Sequence, residues 1–136
     1  MAITLKLEIV TPDAKTYSDD VELVTLPGVS GEMGVYPLHV PLMTQIVAGE
    51  VRVEKGGKEI LLAVGDGFAQ ITGTRVAIMT DMAIRAENID EVKAEEAKKR
   101  AEARLAEKLN DEESVLVQSA LAHSVAQLKV KRRTHS

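Results

Sequence analysis

The side chains able to do chemistry in this chain are few, and their spacing argues against most of it. Three histidines, His39, His123 and His135, stand far apart, with no i,i+4 pair or short-loop spacing of the kind that gathers metal ligands. No cysteine is present, which removes a thiolate nucleophile, a thiolate metal site and a disulfide framework together. Neither a Gly-x-Ser-x-Gly nor a Ser-x-x-Lys nucleophile motif occurs. Asp19, Asp20 and Asp66 sit where turns and caps use short carboxylates. The glycines at Gly65 and Gly67 open no helix and precede no Lys-Ser/Thr, so they mark a turn and not a phosphate loop. The expectation is a non-catalytic protein with no metal and no cofactor. One stretch keeps a binding chemistry, because a helix start with nearby cations can hold phosphate. Ile89, Asp90, Lys93 and Ala94, with Arg100 further along, are the candidates, against the alternative of an ordinary capped helix start.

The elements that would position these residues fall into two kinds. Ile3, Leu5, Leu7 and Ile9 alternate with Thr4, Lys6 and Glu8, the period of a half-buried strand. A second β-rich run spans Val21 to Leu26. Val51 and Val53 alternate with Arg52 and Glu54, Lys55-Gly56-Gly57-Lys58 makes a tight turn, and Ile60 to Val64 returns as a hairpin. Further short runs, Ala69 to Ile71 and Arg75 to Met79, are separated by Gly-containing turns, the pattern of a β-sandwich or barrel.

At Asn88 the pattern changes. Asn88 is a candidate helix cap, with Glu91 placed to complete a capping box. The run from Ile89 to Leu109 lacks Gly and Pro, and Ala94, Ala97, Ala101, Leu105 and Leu109 form one apolar stripe. After the polar break Asn110-Asp111-Glu112-Glu113, with Asp111 as candidate cap, a second helix is expected from about Glu113 to Val130. Its apolar face would be Val117, Leu121, Ser124, Val125 and Leu128. So short a break predicts an antiparallel hairpin. An alanine seam gains only about 0.8 kcal/mol per methyl, against about 2–3 for a buried Leu. The hairpin is therefore either a static element or one that opens when a partner offers better contacts. The expected organisation is an all-β sandwich over 1–87 and an α-helical antiparallel hairpin over 88–136.

Hydrophobic residues make up 45% of the 136 and aromatics 2%, so the core must be aliphatic, and single-stranded nucleic acid has few stacking platforms to meet. The net charge of −4 also argues against nucleic acid as a partner. Lys129 to Arg133 is a basic stretch that suits either a solvated tail or contact with an acidic protein surface. The N-terminus reads as a strand and not a signal peptide, and no apolar run reaches membrane-spanning length. Any membrane association is thus expected through a partner.

The most specific stretch is Gly28 to Leu42, GVSGEMGVYPLHVPL, whose glycines and prolines strongly constrain the backbone. Physically it suits either a rigid connection or a docking loop. The order GEMGVYPLHVPL resembles the signature loop of ε subunits of F-type ATP synthases, and GDGFAQI, AIRAENIDEVKA and the helical run follow in that family's order. The resemblance implies a ten-strand β-sandwich and two helices, joined to the γ subunit and the c-ring. It implies rotor contacts at Gly31, Glu32, Gly34 and His39. It also implies a hairpin that, when extended along γ, enters the α/β catalytic head and inhibits ATP hydrolysis. Lys98, Lys99, Arg100, Arg104, Lys129, Lys131, Arg132 and Arg133 would then meet acidic β-subunit surface. Asn88 to Ala94 resembles the Ile/Leu-Asp-x-x-Arg-Ala motif with which some bacterial ε subunits bind ATP. Lys93 stands in place of the arginine, and Ile84 in place of a preceding glutamate, so weak ATP binding or none is expected. The implied location is the cytoplasmic side of a bacterial plasma membrane, as a peripheral protein held by the complex.

Overall fold

The computed structural model describes residues 3–134, and Met1, Ala2, His135 and Ser136 lie outside them. Ten strands precede two helices: β1 (Leu5–Val10), β2 (Lys15–Val21), β3 (Leu23–Gly28), β4 (Gly31–Val35), β5 (Leu42–Ile46), β6 (Gly49–Lys55), β7 (Lys58–Val64), β8 (Gly67–Ile71), β9 (Arg75–Thr80), β10 (Ala83–Arg85), α1 (Glu91–Leu105) and α2 (Asp111–Thr134). The strands run in the order β10-β7-β6-β3-β5-β8-β9-β1-β2, with β4 branching from β3. All pairings are antiparallel except β1 with β9, where Ile9 lies opposite Ile78. The expected β-sandwich with a helical hairpin is what forms.

Alternation decides the core. Leu5, Leu7 and Ile9 point inward from β1, and Val51 and Val53 from β6, to share one aliphatic core with Leu26, Ile46, Leu62, Ile71 and Ile78. Ile3 lies before β1 and is exposed, so the alternating run is one residue pair shorter than its sequence suggests. Tyr17 is the one aromatic side chain in this core, whereas Phe68 is 52% exposed. Where the two terminal strands meet, the Arg85 guanidinium of β10 stands 5.5 Å from the centroid of the β2 Tyr17 ring. The Lys55–Asp19 ion pair and the Gly56 N–H donating to Glu22 Oε1 at 3.0 Å fasten the β6–β7 turn beside it. That turn is formed as expected, with φ of 58° at Gly56 and 77° at Gly57, the left-handed pair a two-residue hairpin needs.

The structure differs locally from these expectations. Gly31 to Val35 was expected as loop and is an edge strand, each residue paired to β3 from Gly28↔Gly31 to Val24↔Val35. A branch strand with one free edge tolerates the glycines that a central strand would not. The cap of α1 is Asp90, whose Oδ1 accepts the Lys93 N–H at 3.1 Å, and not Asn88. Burial of Ile89 against Leu61 and Ala63 holds its backbone extended, so the helix can begin only after it, and Asn88 closes a one-turn 3-10 helix (Ala86–Asn88). The second cap is Asn110, with Oδ1 accepting the Glu113 N–H at 2.7 Å, and not Asp111. Helix α1 stops at Leu105, leaving Leu109 outside it, while α2 continues past Val130 to Thr134.

The helices stack in series. Ala126 and Val130 of α2 pack on Leu61, Ala63, Ala86 and Ile89, and α1 packs on α2. Ala94 and Ala101 are buried in the inter-helix seam as expected. Val125, expected on the apolar face, is 46% exposed, lining an open groove between α2 and Ala48 and Gly49 of the sandwich. Midway along α2, His123 Nε2 lies 3.1 Å from Asp81 Oδ1 in the β9–β10 turn. Gly65 leaves room for that contact, since a Cβ there would fall 1.9 Å from Asp81 Oδ1 and 2.7 Å from His123 Nε2.

Two predictions follow from these contacts. Asp19 is held below the usual carboxylate range first by its hydrogen bond from Lys55 and then by the Asp20 N–H. Burial raises Glu8, but Lys15 and Arg75 outweigh it and leave its carboxyl lowered too. Their stabilisation is complete above the unfolded carboxylate pKa near 4 and is lost as pH falls through the lower folded values. Urea denaturation of Asp19→Asn and Glu8→Gln should therefore show flatter stability curves than wild type below about pH 4. For Gly65→Ala, the exposed Asp81 carboxylate and the tip of the His123 ring must both move. The sandwich should stay folded at a cost under about 1 kcal/mol, while the His123 ring resonances shift to those of a ring without its carboxylate partner.

Candidate functional site

Two surfaces carry the residues singled out from the sequence. The first is built by β4, the 36–41 loop and the turn between β8 and β9. Gly31 opens β4 opposite Gly28, and Gly34 lies exposed opposite Thr25. The loop is pinned where the Leu38 N–H donates to Gly73 O at 2.6 Å, with Leu38 held at φ 67°. That left-handed conformation costs a non-glycine residue about 1 kcal/mol or more, so the flanking prolines and the Gly73 contact must over-determine it. The result sets Tyr36, Leu38 and Val40 outward, with Leu38 and Val40 about three-quarters exposed (73% and 75%). Exposed aliphatic side chains on a rigid loop suit a protein contact. His39 Nδ1 lies 2.6 Å from Val40 O. A carbonyl only accepts, so Nδ1 carries the proton and Nε2 is the acceptor of the neutral ring. Glu32 pairs with Arg52 of β6, which also lies 3.4 Å from Glu50.

The second surface is the C-terminal end of α2 where it meets the sandwich and the start of α1. Arg132 reaches Glu91 at 3.1 Å and Glu95 at 2.9 Å, and these carboxylates raise the guanidinium pKa further. Arg133 pairs with the buried Glu50 at 2.8 Å and reaches Glu59 at 3.8 Å, while the Lys131 ammonium donates to Ala86 O at 3.2 Å. The basic stretch is therefore engaged on the molecule itself when the hairpin is closed. Arg104 is held by Glu107 at 2.6 Å and Glu113 at 3.1 Å across the inter-helix turn. The other basic candidates are spread. Lys98 is half-buried and Lys99 lies beside Glu95 and Arg132, Arg100 faces the groove with Leu116 and Val117, and Lys129 borders Ala48 and Gly49.

Of the phosphate candidates, Ile89, Asp90, Lys93 and Ala94 come together at the start of α1. Ile89 and Ala94 are buried and Asp90 is committed to its cap. Arg100 lies about 9 Å beyond Ala94 at the helical rise of 1.5 Å per residue. Glu91 and Glu95 stand on the same turns and pair with Arg132. Glu50, Arg52 and Asp81 were not singled out from the sequence. Their partners are 83, 20 and 42 positions away, and the one available signal was charge on both strand positions flanking the inward Val51. Among the described residues no three His, Cys, Asp or Glu side chains converge as metal ligands, and no helix is long and apolar enough to cross a membrane.

Comparison with known proteins accounts for both halves. Residues 4–86 match the model of the ATP synthase delta/epsilon chain β-sandwich domain, and residues 87–132 that of the delta/epsilon chain long α-helix domain. An ATP synthase epsilon chain of Laribacter hongkongensis is 38% identical over 97% of this chain and 99% of its own. That of Dehalococcoides mccartyi strain CBDB1 is 42% identical over 96% of each. Among solved structures, a chain of the Euglena gracilis mitochondrial ATP synthase (OSCP/F1/c-ring) superposes with a TM-score of 0.76 at 26% identity, over 93% of this chain and 80% of that one. A chain of the Tetrahymena thermophila mitochondrial central stalk and c-ring shares the fold at a TM-score of 0.62. Matched end to end, the chain belongs to the ATP synthase delta/epsilon chain family, as a non-catalytic subunit.

Proposed function

We propose that the chain is a central-stalk subunit that couples proton-driven rotor rotation to ATP synthesis and restrains ATP hydrolysis through its C-terminal hairpin. The sandwich docks on the γ subunit and the c-ring, with Gly31, Glu32, Gly34 and His39 in the contacting loop. The hairpin opens along γ, and α2 enters the α/β head. There Lys98, Lys99, Arg100, Arg104, Lys129, Lys131, Arg132 and Arg133 face acidic surface. The complex holds the protein at the cytoplasmic side of a bacterial plasma membrane.

The observation that carries this reading is the serial stacking of the helices. Helix α1 rests on α2, and α2 meets the sheet through Ala126 and Val130 with a few ion pairs around them. Several of those pairs are exposed, and such pairs contribute about 0–1 kcal/mol each. A hairpin held this way can leave as a unit without disturbing the aliphatic core, which is complete without it.

Two measurements test the proposal. ATP hydrolysis by the cognate catalytic head should be inhibited by the full chain, and a chain ending at Asn88 should still bind but relieve the inhibition. Equal rates with the two chains would make the hairpin structural only. ATP is proposed as a weak regulatory ligand at most, since Glu91 and Glu95 flank the start of α1 and Lys93 replaces a planar fork with a point charge. Calorimetry at millimolar ATP should accordingly give little or no heat, and strong binding would instead make the chain an ATP-sensing switch.

A further inference from the structure

The two surfaces described above are joined by side chains. Glu32 on β4 pairs with Arg52, Arg52 lies 3.4 Å from Glu50 Oε1, and Arg133 of α2 lies 2.8 Å from that same oxygen. Glu50 is buried beneath α2, and its other oxygen, Oε2, is buried without a hydrogen-bond partner. Glu32 and Glu50 compete for Arg52. Arg52 is drawn outward by the exposed Glu32 and gives Glu50 only a long contact. Arg133 supplies the better one, and in doing so fastens the end of α2 to β6. A buried carboxylate with an unmet oxygen has a standing demand for a second donor.

We propose that Glu32, Arg52, Glu50 and Arg133 form a charge relay that couples occupancy of the β4 surface to release of the hairpin. A cationic side chain presented to Glu32 by a docked partner competes with Arg52 for that carboxylate. Arg52 then turns fully to Glu50 and satisfies Oε2, and Glu50 no longer requires Arg133. When the hairpin opens, Glu50 then keeps a paired cation instead of being left alone, and the open state gains population by that difference. Arg133 leaves already charged, and it also reaches Glu59 at 3.8 Å. The partner chemistry this requires at β4 is a lysine or arginine on a protein surface. The inference rests on the proposed hairpin opening, but the coupling itself can be read without a catalytic head.

Amide exchange along residues 124–130 of the full chain, alone in solution, reports hairpin opening. Glu32→Gln, an exposed change that removes the outward pull on Arg52, should speed exchange there by roughly threefold to tenfold. Arg52→Gln should leave it unchanged or slower, because Glu50 then depends on Arg133 alone. The decisive variant is the double one: in the Arg52→Gln background, Glu32→Gln should have no effect. Unchanged exchange in the Glu32→Gln single variant overturns the relay, as does an effect that persists at full size without Arg52. Glu91→Gln with Glu95→Gln is the control that loosens α2 outside the relay, so its effect should be the same with Arg52 present or absent. A relay seen in exchange, with hydrolysis indifferent to the hairpin, would uphold the coupling and overturn the inhibitory reading.

Discussion

A helix that meets its neighbours through alanine gains in closeness what it forgoes in area, and the rest of this structure follows from that bargain. Ala94 and Ala101 line the seam between the helices, and Ala126 sits against Ala63 and Ala86 below. Each contributes little buried surface. Position along α2 must then be fixed by groups with direction, namely the His123–Asp81 contact, the Lys131 hydrogen bond and the ion pairs of Arg132 and Arg133. Directional contacts of this kind define one docked arrangement without adding much to its depth. The sandwich shows the opposite balance, a core of large aliphatic side chains with Tyr17 among them.

Much of this was legible in the sequence because short-range rules governed it. Period-two alternation located Leu5, Leu7, Ile9, Val51 and Val53, and the Gly56-Gly57 turn fixed its hairpin's register, Lys55 opposite Lys58. The alanine stripe identified the seam. What escaped was decided at a distance. Strand β4 exists because β3 offers an edge, not because Gly-Glu-Met-Gly favours a strand. The cap of α1 moved from Asn88 to Asp90 because Ile89 had to reach Leu61 and Ala63, and burial of an isoleucine outweighs one cap. Val125 borders the sandwich but stays uncovered, because the groove it lines beside Ala48 and Gly49 is not filled.

The candidate site divides the same way. The docking loop's order was plain, and its backbone constraint could be read from its glycines and prolines. The state of the basic residues could not. Lysines and arginines at the end of a chain look solvated, and only the fold brings Glu91, Glu95 and Glu50 beneath them. Glu50 itself breaks the polar-out rule of β6, since its outward face becomes an inner one once α2 covers it.

The parallel pairing of β1 with β9 carries a consequence for how the chain acquires its shape. Ile9 cannot find Ile78 until nearly all of the sandwich sequence is available, so the first strand must wait for the ninth. Closing so long a loop is slow, and the waiting segment is an exposed strand edge. During synthesis the β1–β2 and β6–β7 hairpins can form early from neighbouring residues, but the barrel-like closure at Tyr17 and Arg85 comes only as β10 emerges. The helices are made after that, against a surface already complete. The element that docks last in assembly is thus also the one whose departure leaves every earlier step intact.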